Sequence, residues 1–400
     1  MKTAKKRVWI FILIGVMQMW AQTNKNKYLC VGYYQTEAAA VKQLENFSSY
    51  YSNKKEWEER AEIIRNGIIN GAEMEKIPAE YRKAPFNTVL SKKKVMNGYT
   101  VQNIAIDGMP GHQITGNLYM PLELKTKNPI ILSPHGHWFN PGNYGRFRPN
   151  LQKRCAALAK MGAVVFAYDM IGFGESVTYL HSNPKAVQIQ IFNSLRVLDY
   201  LYSRDYADTN NVGVTGASGG GTQTILLTAL DKRITVSVPV VMVSAHFFGG
   251  CNCESGMPIH KSATHETNNA EIAALAAPRP MLLISDGHDW TKNVPNVEYP
   301  FIKRIYEFYN AGNNVENVHL PNDYHDYGFS KRKPAYKFLA EHLGLNYSEI
   351  LDKNGNVDES FVTLQAVEDL KVFNRPIMFL SNWKYELSPA YEGDKKLIKQ

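Results

Sequence analysis

Val212-Gly-Val-Thr-Gly-Ala-Ser218-Gly-Gly-Gly-Thr222 is the stretch on which the fold turns. A β-branched run stops in a glycine-flanked serine of the form GxSxG, with Gly216, Ser218 and Gly220 at the fixed places. A side chain lifted above a sheet on a sharp strand-to-helix turn has strained dihedrals, and its neighbours must be small for strand and helix to approach. The flanks agree with that geometry: residues 211–215 read as a strand, and Thr222-Gln-Thr-Ile-Leu-Leu-Thr-Ala-Leu230 reads as a helix. Ser218 is therefore the first candidate nucleophile.

Outward from this turn the chain alternates between strand and helix periods. Upstream lie a strand at 129–133, a helix at 151–161, a strand at 163–168 and a helix at 185–202. Downstream come strands at 234–243, 281–285 and 315–320, with helices at 298–310 and 332–343. This predicts a mostly parallel sheet with helices on both faces. Alternating runs at 100–106 and 113–120 predict an antiparallel pair that makes the sheet mixed. Residues 36–71 have a 3.6-residue apolar period and read as a helical preface. The aperiodic stretch 247–276, rich in aromatic, Cys and His residues, predicts a long insertion above the strand ends. Asp352-Lys-Asn-Gly-Asn-Val-Asp358 lacks the full calcium-loop pattern and reads as a polar turn. The expected organisation is a leader at 1–21, a helical extension at 22–87, a catalytic domain at 88–345 and a C-terminal extension at 346–400 that packs on it.

The start of the chain, Met1-Lys-Thr-Ala-Lys-Lys-Arg7 followed by apolar residues 8–17 and Met19-Trp-Ala21, has the layout of a secretory signal peptide cleaved near Ala21. The apolar run is short for a spanning helix, so the mature chain is expected to be exported, periplasmic or extracellular, with no membrane span. Cleavage removes Lys2, Lys5, Lys6 and Arg7, lowering the formal charge of +8 by four, and the remainder makes no case for nucleic acid. Four cysteines, at 30, 155, 251 and 253, are too few in 400 residues for a disulfide framework. Cys251 and Cys253 precede His260 and His265, yet the spacings fit no usual structural zinc pattern, so neither a metal nor a cofactor is expected. The sequence carries no signal for oligomeric state.

A serine hydroxyl needs a base to take its proton and a third group to hold that base. The chain supplies both in order. Asp286-Gly-His-Asp289-Trp290 follows the strand at 281–285, and Pro321-Asn-Asp-Tyr-His325-Asp-Tyr-Gly328 follows the next strand. This gives Ser218 as nucleophile, His325 as base and Asp289 as its orienter. Asp286 competes for the last role from the end of the strand. Pro134-His-Gly-His137-Trp138 lies where an oxyanion-binding loop is needed, so the amides of His137 or Trp138 would join that of Gly219. His135 could instead brace the loop.

The set HGHW at 135–138, AYDMIGFGES at 167–176, GASGG at 216–220 and HDYG at 325–328 resembles the α/β-hydrolase superfamily. Within it, the chain resembles the bacterial acetyl xylan esterase and dienelactone-hydrolase-like serine esterases, over roughly residues 90–345. The resemblance implies the α/β-hydrolase fold and places the family's nucleophile on Ser218, its acid on Asp289 and its base on His325. It implies an exported serine carboxylic-ester hydrolase, acting on a small-molecule or carbohydrate ester through an acyl-enzyme. The CESGMPIH segment at 253–260 and the helical preface depart from the generic pattern, so the substrate does not carry over.

Aromatic faces suit sugar rings or apolar ester parts, which makes Trp138, Phe247 and Trp290 candidate substrate contacts, with His260 beside them in the insertion. Arg146 and Arg148, past the oxyanion loop, could meet a substrate carboxylate. Two rivals remain. A serine peptidase of the prolyl-oligopeptidase kind shares the core, although the preface is too short for its propeller. A non-catalytic binding protein on the same fold is the other.

Overall fold

In the parallel part of the sheet, successive residues bury on opposite faces, and this divides the molecule into two apolar cores. The computed structural model describes residues 35–140 and 143–373. The expected signal peptide, Cys30 and residues 374–400 lie outside the described residues. The strands are β1 Val89–Leu90, β2 Lys94–Val95, β3 Tyr99–Asp107, β4 Gln113–Pro121, β5 Asn128–Leu132, β6 Phe139–Asn140, β7 Asn143–Tyr144, β8 Val164–Tyr168, β9 Ala207–Ala217, β10 Val236–Val240, β11 Met281–Asp286 and β12 Val315–Leu320. Ten of them form one sheet in the order β1-β3-β4-β8-β5-β9-β10-β11-β12, with β2 also on β3, and β6 and β7 make a separate hairpin.

From β8 to β12 every neighbouring pair is parallel. From β8 outward through β4, β3 and the two short strands, every pair is antiparallel. This is the α/β-hydrolase fold, a mostly parallel mixed sheet with helices on both faces.

Ile130, Leu132, Val164, Phe166 and Tyr168 join the core that holds helices Ala186–Tyr202 and Gly219–Leu230. Ile131, Val165 and Ala167 point to the other core, with helices Pro149–Lys160 and Phe329–Leu343. Because strand side chains alternate by two, one run of β-branched residues serves both layers at once.

The helical preface is built from Glu37–Ser48 and Lys54–Gly71. Thr36 caps the first, accepting from the Ala39 amide, and Asn53 caps the second, accepting from the Glu56 amide while Glu56 Oε2 accepts from the Ser52 amide. Trp57, Ala61, Ile64 and Ile68 recur at helical spacing and bury in the same core as helix Ala186–Tyr202. Arg60 reaches the insertion, donating to both Glu271 oxygens at 2.8 and 2.6 Å. On the opposite face Leu345, Ile350, Val357 and Leu370 fold back onto helices Pro149–Lys160 and Phe329–Leu343. The polar turn at 352–358 closes on Asp352 Oδ1, which accepts from the Asn354 and Asn356 amides.

The strand expected at 234–243 is shorter, because Val241 takes φ 45°, a conformation that a β-branched residue in a strand does not adopt. The insertion at 247–276 carries two short helices, Asn252–Ser255 and Asn269–Ala274. Among the described residues no helix is long and apolar enough to cross a membrane.

Candidate active site

The chain leaves β5 for β8 on one side and returns to β9 on the other, so β5 and β9 bracket the topological switch point where open α/β sheets bind ligands. The loop after β5 carries residues 134–138, and β9 ends at Ala217, immediately before Ser218. Ser218 has φ 56° and ψ −126°, the strained geometry of a nucleophile elbow, and helix Gly219–Leu230 starts at the next residue. Its flanking glycines are required by contact. A Cβ on Gly216 would lie 2.6 Å from the carbonyl oxygens of Gly220 and Pro134, and one on Gly220 would lie 2.5 Å from that of Pro134. The Ser218 amide donates to Val240 O at 3.1 Å, and its carbonyl accepts from Thr222 at 2.9 Å, which fixes the turn from both sides. Among the described residues its hydroxyl has no hydrogen-bond partner.

Of the two candidate acids, Asp289 meets the histidine: Asp289 Oδ2 is 2.6 Å from His325 Nδ1. Its other oxygen accepts from the Thr291 amide at 2.6 Å and the Thr291 hydroxyl at 2.5 Å, so the carboxylate is held at both ends. With Nδ1 donating, the lone pair of His325 lies on Nε2, the arrangement a general base needs. Asp286 turns to Lys331 Nζ at 3.3 Å and accepts from the His288 amide at 3.1 Å. Burial, with the Asp289 charge beside it, pushes the Asp286 carboxyl up to about 6.

The loop after β5 joins these parts. Trp138 packs over Gly136, where an added Cβ would lie 2.2 Å from Trp138 Cζ3 and 2.6 Å from Ala217 O. The indole of Trp138 also lies nearly parallel to His325, with ring centres 6.1 Å apart. Trp138 therefore spans from the residue before Ser218 to the imidazole. Trp290 lies on His325 at 4.4 Å and stacks on Phe247 at 4.1 Å. Gly219 sits against His137, since an added Cβ would meet His137 Cε1 at 2.1 Å. His135 accepts from the Met170 amide through Nε2 and meets Gly136 O through Nδ1, and burial lowers its pKa to about 3, so it is a neutral brace.

Two substrate-contact expectations are corrected. Arg146 is fully buried, 2.9 Å from Asp169 and 2.7 Å from Glu175, with its guanidinium also donating to Leu370 O. It is a structural node. His260 is buried on Asn269 at 2.8 Å and edge-on to Phe248, and burial lowers its pKa to about 4. Arg148, two residues beyond Arg146, instead lies over the Trp138 ring at 4.0 Å. The loop of residues 321–328 also depends on a residue that sequence reasoning passed over. Lys331 Nζ, fully buried, donates to Tyr324 O at 2.6 Å and to Asp326 at 3.1 Å, joining the His325 loop to the end of β11.

Cys251 and Cys253 do meet two histidines, but not the two that follow them in sequence. His137 Nε2 is 3.1 Å from Cys253 Sγ, and His181 Nε2 is 3.3 Å from Cys251 Sγ. This reopens the question of a metal, which sequence spacing had answered in the negative.

No family model matches the chain. Among curated proteins, the putative hydrolase YtaP of Bacillus subtilis strain 168 is 26% identical over 215 residues, spanning 47% of this chain and 70% of that protein. Among solved structures, methylesterase BT1017 superposes with a TM-score of 0.78 at 43% identity, over 85% of this chain and 74% of that one. A putative acetyl xylan esterase from Bacteroides fragilis NCTC 9343 has a TM-score of 0.52 at 16% identity, over 73% of this chain and 79% of its own. A glucuronoyl esterase from Solibacter usitatus has a TM-score of 0.53 at 16% identity, over 73% and 94%. At those identities the last two speak for the fold alone.

Proposed function

The chain belongs to the family of methylesterase BT1017, an esterase family, and from that premise we propose that it is an exported serine carboxylic-ester hydrolase cleaving methyl esters of uronic-acid-bearing carbohydrate. The 2.6 Å contact between Asp289 and His325, tied through Trp138 to the strained turn of Ser218, carries the reading. In the proposed reaction Ser218 Oγ attacks the ester carbonyl as His325 Nε2 takes its proton, and Asp289 stabilises the imidazolium that results. The amides of Gly219 and of His137 or Trp138 hold the oxyanion. His325 then returns the proton to the departing alkoxide, and a water activated by the same imidazole releases the acid and restores Ser218.

Trp138 and Trp290, beside His325, would stack on sugar rings, with Phe247 behind Trp290. Arg148 over Trp138 would meet a neighbouring carboxylate of the same polymer. The domain division at 21, 87 and 345 belongs to this proposal, as does export after cleavage near Ala21. Deacetylation of carbohydrate is the other form of the reading.

The test is to incubate the enzyme with a polyuronate that is both methyl-esterified and acetylated and to measure methanol and acetate. Methanol release is expected, with a fluorophosphonate probe labelling Ser218. Acetate alone would move the reaction to deacetylation. Neither product, together with no probe labelling, would favour a binding protein.

A further inference from the structure

Next to the residue that follows Ser218, four donor atoms from three distant loops converge. They belong to His137, His181, Cys251 and Cys253, and all lie within 4.8 Å of one another. Cys251 Sγ is 3.0 Å from Cys253 Sγ and 3.6 Å from His137 Nε2. We propose that these four side chains form a closed site for a structural divalent zinc ion, which fastens the loop of residues 134–138 to the insertion at 247–276.

The donor set suits that ion. Two thiolates and two imidazoles are borderline-soft ligands in the composition of a four-coordinate structural zinc site. A tetrahedral zinc with the usual bond lengths holds its sulfurs about 3.8 Å apart and its sulfur and nitrogen atoms about 3.6 Å apart. The sulfur–nitrogen separations of 3.1, 3.3 and 3.6 Å lie at or below that value, and the sulfurs, at 3.0 Å, would move apart by about 0.8 Å on taking up the ion. The two sulfurs are well beyond the roughly 2.05 Å of a disulfide, and both cysteines are free.

The surroundings orient the ligands as a metal site requires. His181 Nδ1 donates to Ile171 O at 2.7 Å, which puts the Nε2 lone pair toward Cys251. Glu254 Oε2 lies 3.9 Å from His137 Nδ1 and accepts from Cys251 Sγ at 3.4 Å, so its charge borders the donor set directly. That carboxylate is fixed by the Gly250 amide at 2.8 Å and the Thr222 hydroxyl at 3.0 Å. A carboxylate bordering the ligands supplies negative charge next to the proposed cation, as outer groups of metal sites do. Charge points the same way. Two buried thiolates beside a buried carboxylate would be costly, and a divalent cation offsets both sulfurs while their two protons leave to solvent. With all four positions taken by protein, the site has no place for substrate, so its work is mechanical.

That work falls on the proposed oxyanion hole. The His137 ring presses on Gly219, and the amides of both residues are among the proposed donors. This consequence rests on the esterase reading, whereas the presence of the metal does not.

The experiment begins with metal analysis of the full chain, purified without metal-affinity resin. One zinc per chain is expected. Replacement by cobalt should give the sulfur-to-cobalt charge-transfer bands of a two-thiolate tetrahedral site. Cys253→Ser and His181→Gln should each lower the bound metal at least tenfold, with circular dichroism reporting folding, and Glu254→Gln should weaken binding by roughly 10- to 100-fold. Ser218→Ala should keep its zinc, and a wild-type protein that holds zinc yet hydrolyses no ester would overturn the esterase reading and leave this site standing. Removing the metal should lower kcat by about 10²- to 10³-fold with little change in KM, as for loss of an oxyanion donor. A wild-type protein that retains no zinc, takes up none on addition and shows no cobalt–thiolate band overturns the proposal. So does a Cys251–Cys253 disulfide seen as a mass lower by two hydrogens.

Discussion

Two histidine-centred clusters reach the turn of Ser218, one through Trp138 and the other through His137, and they are built on opposite plans. Around His325 stand one carboxylate and two indole rings, and 17% of the imidazole side chain stays exposed. Around His137 and His181 stand two buried thiols and a buried carboxylate held by further hydrogen bonds. A group that must pass a proton to a bound molecule needs an opening toward it, whereas a group that holds a frame gains from being closed off. Arg146, fully buried between Asp169 and Glu175, differs from Arg148, which is also buried but lies over Trp138.

The largest effect expected on the open side is that of Ser218→Ala, which should lower kcat on a methyl ester by about 10⁵- to 10⁶-fold while the fold survives. Steady-state kinetics within tenfold of the parent would remove Ser218 from the mechanism and dissolve the contrast. Next comes Asp289→Asn, expected to cost roughly 10³- to 10⁴-fold in kcat with KM little changed, because an amide favours the wrong imidazole tautomer. Asp286→Asn should act mainly on stability, through Lys331. If kinetics of the two variants gave the reverse ranking, the open cluster would have been assigned to the wrong carboxylate.

On the sealed side the expected losses are in stability. Arg146→Met leaves Asp169 and Glu175 buried without their cation and should cost roughly 3–5 kcal/mol in urea denaturation. Arg148→Met should cost less than about 2 kcal/mol and raise KM for a uronate ester. Equal behaviour of the two would erase the distinction between them.

A pH-dependent effect concerns Glu298, whose Oε1 accepts from the Ala245 amide where the chain approaches the insertion. Burial pushes its carboxyl up to about 7. A carboxyl whose folded pKa is raised stabilises the fold fully below its unfolded pKa, about 4.5, and loses that contribution as pH rises through 7. Glu298→Gln should therefore flatten the stability profile between those values and leave the variant roughly 1–3 kcal/mol better at pH 8, relative to the parent, than at pH 4. Parallel urea midpoints for the two proteins across this range would show that the carboxyl carries no such cost.

How much of this was legible in the chain follows from how local each signal is. The elbow is written in eleven consecutive residues, and the strand periods of 163–168 and 281–285 are short-range patterns, so the sheet and the order Ser218, Asp289, His325 could be read directly. The choice between Asp289 and Asp286 rested on position relative to a strand end, which is also local. Arg146 could not be read, because Asn117, Asp169, Glu175 and Leu370, which surround it, come together only when the sheet closes. The thiol–imidazole cluster was hidden for the same reason. His137 and Cys253 are 116 residues apart, and His181 and Cys251 are 70 apart. Spacing rules see ligands on one short segment, and only the Cys251-Asn-Cys253 half of the set lies on one.

The Arg146 node has one more consequence, for the order in which the molecule matures. Glu175, its partner in the loop after β8, also accepts from the Val372 and Phe373 amides at 2.7 and 2.8 Å, and Leu370 O accepts from Arg146 itself. A chain emerging from the ribosome in sequence order has made Ser218, Asp289 and His325 well before it makes residues 370–373. Until those residues arrive, the loop that braces His135 through the Met170 amide lacks its last clamp. A nascent chain arrested before residue 370 thus holds the proposed reacting groups in an unfinished frame, which closes only once residues 370–373 are made.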